Sequence, residues 1–227
     1  MSAPRAWLCD FDGTVAPVDV GARLMRRFST GGEDRHAMLE ARWRCGEMGH
    51  RALTEAECSA LRCDADQALE FIREFEIDPN FAPFVRESLA QGDAVVVVSE
   101  GFDFYIRALL DGAGLGDLPV AANRLRFEAG RAIPEFPFAE RSCGRCGNCK
   151  GAHVADWKTR GYRTVLVGDG FSDRCAARVA DVVLGRGSLL AWCASHGIEA
   201  RGASDFAAVR HIARKLPRAD APERGVA

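Results

Sequence analysis

The run Val95-Val96-Val97-Val98 constrains the fold more than any other part of this sequence. Four successive β-branched residues pack well on a pleated surface and leave no polar face, so they predict a central strand covered on both sides. Three other short apolar runs share this character, and each is followed by polar or glycine-rich residues; they cover 6–9, 164–167 and 181–184. Helical patterns separate the strands at 104–115, 153–160 and 175–179. The alternation predicts an α/β fold with a Rossmann-like parallel sheet core, in which ligands bind beyond the carboxyl ends of the strands.

A long insertion separates the first two predicted strands. More than eighty residues lie between Asp10 and Ala94, whereas a βαβ unit needs about 30 in all. Five helical patterns fill the gap, over 18–28, 33–44, 54–62, 65–75 and 82–91. Thr54 and Glu57 have the spacing of a capping box at the start of the third pattern. We predict a core formed by residues 1–16 and 85–216, an inserted helical cap over 17–84, and a flexible tail over 217–227.

The composition excludes several classes of protein. Among 227 residues, 30 are basic and 32 acidic, which gives a net charge of -2 with no block of like charge, so no general attraction to nucleic acid or to an anionic membrane is expected. No apolar run approaches the roughly 20 residues that span a bilayer, and Asp10 interrupts any signal-peptide core. We expect a cytoplasmic protein with a small-molecule partner. Periodicity gives no prediction of its oligomeric state.

The strongest chemical signal is Asp10-Phe11-Asp12-Gly13-Thr14, directly after the first strand. Two carboxylates two residues apart can approach one ligand while the residue between them turns to the core. Asp10 could attack phosphorus as a nucleophile, and Asp12 could transfer the protons. The alternative is an acidic turn or a partial calcium loop, because short acidic motifs are common.

Three further groups follow predicted strands or open a helix. Ser99, with the backbone amides of Glu100 and Gly101, could bind phosphate oxygens, although a serine at a strand end is often only a turn residue. Lys150 could neutralise phosphoryl charge, although a lone lysine is usually a solvated surface group. Asp169 could help to hold Mg²⁺, with Asp173 orienting the ligands; the alternative is a Gly-Asp-Gly turn that caps a helix.

In chain order, Asp-x-Asp, Ser, Lys and Asp-x-x-x-Asp resemble the four motifs of the haloacid dehalogenase-like phosphohydrolases. The resemblance implies that Asp10 is the nucleophile and Asp12 the general acid and base, and that Ser99 and Lys150 hold the phosphoryl group. It also implies a Mg²⁺ site comprising Asp10, Asp169 and the main-chain carbonyl of Asp12, with Asp173 behind them.

The helical insertion is similar to that of the phosphoserine phosphatase-like branch, and the sequences around Ser99, Lys150 and Asp169 look most like its methionine-salvage subgroup. That subgroup dephosphorylates 2-hydroxy-3-keto-5-methylthiopentenyl phosphate. Glu100 stands where phosphoserine phosphatases usually have glycine, so it would repel an anionic substrate tail and favour a cationic or hydroxylated one. The resemblance implies that Asp19 contacts the substrate. Four cap residues could also line the pocket, although packing explains Trp43 and Met48 equally well: Trp43, Arg44, Met48 and Arg51.

Nine cysteines, an odd number, argue against a disulfide framework. Three of them, with a histidine, have the spacing C-x2-C-x2-C-x3-H: Cys143, Cys146, Cys149 and His153. Such a group could bind structural Zn²⁺ tetrahedrally, and its spacing also resembles half of an iron–sulfur binding run. The alternative is reduced thiols that pack the loop before Lys150.

These observations predict a Mg²⁺-dependent phosphatase that acts on a small phosphorylated metabolite through an aspartyl-phosphate. The candidate substrates are the methylthiopentenyl phosphate, phosphoserine, and phosphocholine or phosphoethanolamine. One alternative is a phosphotransferase that passes the same phosphoryl group to an alcohol. Another is a redox or metal sensor centred on the cysteine cluster.

Overall fold

A computed structural model describes residues 3–141 and 143–217. Within them the strands are β1 (Arg5–Cys9), β2 (Ala94–Phe102), β3 (Val120–Glu128), β4 (Arg131–Glu135), β5 (Arg163–Gly168), β6 (Val182–Gly185) and β7 (Arg201–Gly202). The α-helices are α1 (Val20–Phe28), α2 (Gly32–Arg44), α3 (His50–Ala60), α4 (Ala65–Ile72), α5 (Phe81–Ala90), α6 (Asp103–Gly112), α7 (Lys150–Thr159), α8 (Arg174–Ala177), α9 (Gly187–Ser195) and α10 (Phe206–Lys215). No helix in these two ranges is both long and apolar enough to cross a membrane.

The strands form one sheet in the order β4-β3-β2-β1-β5-β6-β7. Every neighbouring pair is parallel except β3 and β4, which form an antiparallel hairpin at one edge. β1 lies at the centre, where Ala6 pairs with Ala94 of β2 and Thr164 of β5. The predicted α/β fold with a parallel sheet core is therefore confirmed, and β3, β4 and β7 are additions to it.

Both faces of the sheet are buried, as the run of four valines predicts. Val95 and Val97 pack on one face with Trp7, in a cluster that also receives apolar side chains of α5, α6 and α10. Val96 and Val98 pack on the other face with apolar side chains of α7, α8 and α9. Burying each of these valines stabilises the fold by about 1.5–3 kcal/mol.

The inserted helices α1 to α4 lie between β1 and α5 in the chain. α5 itself packs on the sheet core, because Phe84 meets Trp7 with ring centroids 5.0 Å apart and Phe81 meets Phe206 at 4.7 Å. The predicted boundaries of the helical cap, at residues 17 and 84, stay a prediction. Residues 218–227 of the expected flexible tail lie outside the described residues.

The predicted capping box at Thr54 and Glu57 is wrong. α3 begins four residues earlier, at His50, and the Thr54 hydroxyl donates to the carbonyl of His50 at 2.9 Å. A threonine inside a helix can satisfy its hydroxyl in this way on the preceding turn. A capping box does occur at α4, where the side chains and backbone N–H groups of Asp64 and Gln67 bond reciprocally.

Candidate active site

Four polar groups from separate parts of the chain meet at the carboxyl edge of the sheet. Asp10 directly follows β1, Asp169 directly follows β5, Ser99 lies in β2 after the valine run, and Lys150 is the first residue of α7. A cavity of about 220 Å³ lies between this edge and the inserted helices; Asp10, Ser99 and Asp169 line it. The sequence expectation that these motifs share one edge agrees with their placement.

A buried lysine joins two carboxylates of this edge. The Nζ atom of Lys150 lies 2.6 Å from Oδ1 of Asp10 and 2.7 Å from Oδ1 of Asp173, and all three side chains are buried. Burial alone would lower the pKa of Lys150, but Asp10 and Asp173 outweigh it and raise that pKa. The lysine therefore stays an ammonium group in this site. Its Nζ also donates to the hydroxyl of Ser172 at 2.9 Å.

Asp173 is held by the backbone as well as by Lys150. Its Oδ2 accepts hydrogen bonds from the backbone N–H groups of Asp169 and Gly170, both at 3.0 Å. Because both carboxylate oxygens are engaged, Asp173 fixes the turn that carries Asp169.

The carboxylates of Asp10, Asp169 and Asp173 form a group suited to a hard divalent cation. One oxygen from each lies within 4.8 Å of the others. Burial is the main cause that raises the pKa of Asp10 and of Asp169, and Asp173 raises both further, although Lys150 opposes the shift at each. The group is therefore short of positive charge. Oxygen donors in this number and setting fit Mg²⁺, which prefers carboxylates completed by water and substrate oxygens.

Asp12 lies in a different environment from Asp10. Its Oδ1 accepts the backbone N–H groups of Val20 at 2.9 Å and Gly21 at 3.3 Å, and its Oδ2 accepts the hydroxyl of Tyr105. Burial raises the pKa of Asp12 to about 7; Asp19 adds to the shift, and the hydrogen bonds from Tyr105, Gly21 and Val20 oppose it. A carboxyl group with this pKa can both donate and accept a proton near neutral pH.

Two glycines permit this close packing of acidic groups. Gly13 has φ +75°, and a Cβ there would lie 2.6 Å from Oδ2 of Asp169. A Cβ on Gly101 would lie 1.8 Å from the Tyr105 hydroxyl oxygen and 2.7 Å from Oδ2 of Asp12. Since side chains cannot occupy either position without displacing the site, glycine is required at both.

The model of the haloacid dehalogenase-like hydrolases matches residues 7–178, which include all four groups described above. The chain belongs to this family. Two similar proteins are 2-hydroxy-3-keto-5-methylthiopentenyl-1-phosphate phosphatases. The phosphatase of Brevibacillus brevis is 29% identical, and the match covers 83% of this chain and 86% of the relative. The phosphatase of an Exiguobacterium species is 27% identical, and the match covers 84% of this chain and 88% of the relative. The prediction of a phosphoric monoester hydrolase is thus confirmed at the level of enzyme class.

The fold of this haloacid dehalogenase-like hydrolase is also that of known phosphatase structures. A phospho-aspartyl intermediate analogue of phosphoserine phosphatase superposes with a TM-score of 0.72, covering 95% of this chain and 100% of the other at 20% identity. A substrate-bound phosphoserine phosphatase complex gives the same TM-score and covers 96% of this chain and 100% of the other, also at 20% identity. The predicted likeness to the phosphoserine phosphatase branch is confirmed for the fold.

The remaining predicted phosphate-binding residues have different surroundings. The Ser99 hydroxyl accepts the backbone N–H of Gly101 at 2.9 Å, which leaves its own proton to donate. Glu100 is buried and lines the cavity, but its Oε1 accepts the backbone N–H of Gly147 at 3.2 Å and lies 3.5 Å from Nδ1 of His50. Its carboxylate therefore joins the loop before Lys150 to the first residue of α3.

The predicted cap contacts divide into two groups. Asp19, Trp43 and Arg44 line the cavity of this hydrolase, and the Trp43 ring also packs on Phe171 with centroids 4.8 Å apart. Asp19 caps α1 by accepting the backbone N–H of Ala22 at 2.7 Å.

Met48 and Arg51 are not among the described residues that line the cavity. Met48 lines a neighbouring cleft, and Arg51 pairs with Glu55 at 3.0 Å while its guanidinium stacks on Phe136 at 5.0 Å from the ring centroid.

The sequence did not single out several groups that line the cavity. Tyr105 is fully buried on α6 and contacts Asp12; an isolated tyrosine in an otherwise apolar helix face was the signal available. His36 and Glu57 form a pair at 2.7 Å between α2 and α3, and their hydrogen bond is the main cause that raises the pKa of His36. Such pairs form across helices and have no fixed spacing in the sequence.

The cysteine-rich loop lies beside this site. The Sγ atoms of Cys143, Cys146 and Cys149 all lie within 4.8 Å of one another. His153 is not in this group: its Nε2 lies 2.6 Å from Oδ1 of Asn148, and its ring packs on Phe138.

Proposed function

We propose that the protein is a Mg²⁺-dependent phosphatase that hydrolyses a small phosphorylated metabolite through an aspartyl-phosphate on Asp10. The observation that carries the proposal is the unlike surroundings of two carboxyl groups two residues apart. Asp10 contacts Lys150 among further carboxylates, whereas the pKa of Asp12 is about 7 beside Tyr105. One group is thus suited to nucleophilic attack and the other to proton transfer.

Asp10, Asp169 and the main-chain carbonyl of Asp12 would hold Mg²⁺, with Asp173 orienting Asp169 through the backbone. When bound, the ion supplies the positive charge that keeps Asp10 ionised and offsets the charge of the phosphoryl oxygens. The Lys150 ammonium and the Ser99 hydroxyl would hold the same oxygens from the opposite side.

The reaction would proceed as two displacements at phosphorus. First, a carboxylate oxygen of Asp10 attacks phosphorus, the bond to the leaving oxygen breaks, and Asp12 gives that oxygen its proton. Asp12 is then a carboxylate. Second, a water oxygen attacks phosphorus while Asp12 takes a proton from that water, the bond to Asp10 breaks, and inorganic phosphate leaves. Both aspartates return to their starting states, so positioning and charge account for most of the catalysis.

The cavity wall supports a substrate whose remainder is apolar and hydroxylated. It contains apolar side chains from the inserted helices, including Met25, Trp43 and Leu53, and acidic side chains, including Asp19, Glu57 and Glu100. A carboxylate on the substrate would be repelled by these acidic side chains, whereas hydroxyl and thioether groups would not. We therefore propose 2-hydroxy-3-keto-5-methylthiopentenyl 1-phosphate, which the two relatives are named for, ahead of phosphoserine. Asp19, Trp43 and Arg44 are the cap residues proposed to contact it.

The test is release of inorganic phosphate by the purified full chain with Mg²⁺. The panel comprises the methylthiopentenyl phosphate, phosphoserine, phosphoethanolamine, phosphocholine and sugar phosphates. Asp10→Asn should abolish turnover because an amide of nearly the same shape cannot act as the nucleophile. Asp156→Asn is the matched control, since Asp156 is partly exposed on α7 and pairs with Arg160.

Unchanged turnover in Asp10→Asn would refute the nucleophile. A higher kcat/KM for phosphoserine than for the methylthiopentenyl phosphate would refute the proposed substrate. Phosphate transferred to an added alcohol, in place of free phosphate, would identify a phosphotransferase.

A further inference from the structure

A fourth thiol, distant in sequence, joins the cysteine-rich loop. Cys175 is the second residue of α8; it lines one cleft with Cys143 and Cys146, and its thiol interacts electrostatically with those of Cys146 and Cys149. The Sγ atoms of Cys143 and Cys146 lie 3.5 Å apart. We propose that Cys143, Cys146, Cys149 and Cys175 bind one Zn²⁺ ion as a tetrathiolate site.

The spacing of the three loop sulfur atoms fits a single ion, to which Cys175 would come from α8. Four sulfurs at the tetrahedral Zn–S distance of about 2.3 Å lie about 3.8 Å from one another. The pair at 3.5 Å, and the limit of 4.8 Å among the three loop sulfurs, bracket that value. In a four-iron, four-sulfur cluster each cysteine binds a different iron, so the sulfurs would lie farther apart. A tetrahedral set of thiolates binds zinc or iron, and the short spacing favours a single ion.

Cys175 replaces His153 as the fourth ligand. The imidazole of His153 is directed to Asn148, whose side-chain amide in turn donates to the carbonyls of Ser99 and Ala121 at 2.9 and 2.8 Å. Asn148 thereby fixes the loop to β2 and β3. His153 therefore supports the loop through its contact with Asn148, and it is not a ligand in the proposed zinc site.

Charge around the four sulfurs also favours an anionic metal centre. Zn²⁺ with four thiolates has a net charge of -2. An adjoining cleft of about 350 Å³ is lined by Cys143, Cys146 and Cys175 together with Arg145, Arg174 and Arg178. The Nε atom of Arg174, next to Cys175 in the chain, is buried without a hydrogen-bond partner in the described part of the chain. Glu100, which lines the same cleft, is near His50 and opposes only part of this positive charge.

The ion would connect both sides of the phosphate-binding edge. Cys149 directly precedes Lys150, and Cys175 follows Asp173 by two residues, so the metal would fix the backbone on each side of the 2.7 Å Lys150–Asp173 pair. The same loop contacts the segment between α2 and α3, because the Arg145 guanidinium donates to the carbonyl of Gly46 at 2.7 Å. A structural zinc ion here would position the phosphate-binding lysine relative to both parts of the cavity.

The test is elemental analysis of the untagged full chain, purified with a thiol reductant and washed with a mild chelator. The wild type should retain about one zinc per chain, and Cys175→Ser should lose at least about four fifths of it. Cys45→Ser, which removes an exposed thiol outside the group, and His153→Ala should retain it. Zinc retained by Cys175→Ser but lost by His153→Ala would overturn the ligand set.

A second measurement does not depend on how well a variant folds. Wild-type chain grown with cobalt in place of zinc should show the absorption of Co²⁺ in a tetrahedral thiolate site. Folded, reduced wild type with no bound zinc, or with iron in its place, would overturn the proposal, as would a disulfide among the four cysteines. None of these readouts requires phosphatase activity, so the zinc site and the proposed function are tested separately.

Discussion

The hydroxyl of Tyr105 donates a hydrogen bond of 2.5 Å to Oδ2 of Asp12, across 93 residues of sequence. The other oxygen of Asp12 accepts the backbone N–H groups that begin α1, at Val20 and Gly21. A core helix and an inserted helix therefore both hold this one carboxyl group. Its protonation and its position therefore depend on both α1 and α6.

Tyr105→Phe should slow turnover and move its pH dependence. The Tyr105 hydrogen bond lowers the pKa of Asp12, so its loss should raise that pKa above about 7. The step in which Asp12 is proposed to act as a base should then require a higher pH, and kcat at pH 7 should fall on the order of tenfold. The measurement is kcat against pH. Tyr162→Phe is the matched control, because Tyr162 packs on Trp157, away from Asp12, and should leave the profile unchanged.

Asp12→Asn should make the protein more stable at alkaline pH. The pKa of Asp12 is 3.8 when unperturbed and about 7 in the fold, so the native state binds more protons than the unfolded state between these values. The free energy of unfolding therefore falls as pH rises from about 4 to about 7, and the amide removes that loss. We expect a gain on the order of 1–4 kcal/mol at pH 8 and none at pH 4.

Thermal or urea unfolding at the two pH values, without Mg²⁺, measures this difference. Asp156→Asn should show no such dependence on pH. A variant less stable than the wild type at pH 8 would contradict the assigned environment of Asp12.

Gly101→Ala should disrupt the site, because its Cβ would lie 1.8 Å from the Tyr105 hydroxyl oxygen and must displace that side chain or the strand. We expect a loss of stability of about 1–3 kcal/mol and a marked loss of turnover. Gly112→Ala is the matched control: its Cβ would meet nothing within 4 Å at the end of α6, so it should be neutral or stabilising by up to about 1 kcal/mol. Chemical denaturation and phosphate release measure the two effects, and equal behaviour of both variants would refute the crowding argument.

Asp169→Asn should weaken Mg²⁺ binding. The carboxylates of Asp10, Asp169 and Asp173 lie together with too little positive charge, so a bound cation should raise the melting temperature of the wild type. Removing one charge should move the Mg²⁺ concentration needed for this rise upward by at least about tenfold. A titration of melting temperature with MgCl₂ measures the shift. The same curve for wild type and variant would exclude Asp169 as a ligand.

The predictable parts of the fold are the elements that their own residues identify without reference to the rest of the chain. β1, β2, β5 and β6 are short runs buried on both faces, so their composition alone identifies them. β3 has Asn123, Arg124 and Arg126 among its apolar residues and lies toward one edge of the sheet, and β7 has two residues. Their pairing depends on neighbouring strands. α3 begins early because His50 to Leu53 continue the helix that Thr54 was expected to cap.

The same distinction applies to the site. Each motif of the candidate site lies at the carboxyl end of a strand or opens a helix, so the parallel sheet alone predicts that Asp10, Ser99 and Asp169 meet. Tyr105 contacts the site from α6, and Cys175 lines the adjoining cleft from α8; the rotation and packing of each helix determine where its side chain points. No spacing rule links Tyr105 to Asp12, or Cys175 to a loop some thirty residues earlier. Met48 lies between α2 and α3 and Arg51 lies at the start of α3, and their positions in the sequence do not determine which way their side chains point.

The central position of β1 has a consequence for how the protein is made. β1 precedes its partner β5 by about 150 residues, and Lys150, Asp169 and Asp173 come equally late in the chain. During synthesis on the ribosome, the edge of β1 that pairs with β5 therefore stays unpaired until most of the chain has emerged, and so do the acidic residues that follow β1. Such an edge pairs readily with other strands. Translation that pauses before β5 should consequently yield nascent chains that aggregate or require a chaperone, whereas a pause after β6 should not.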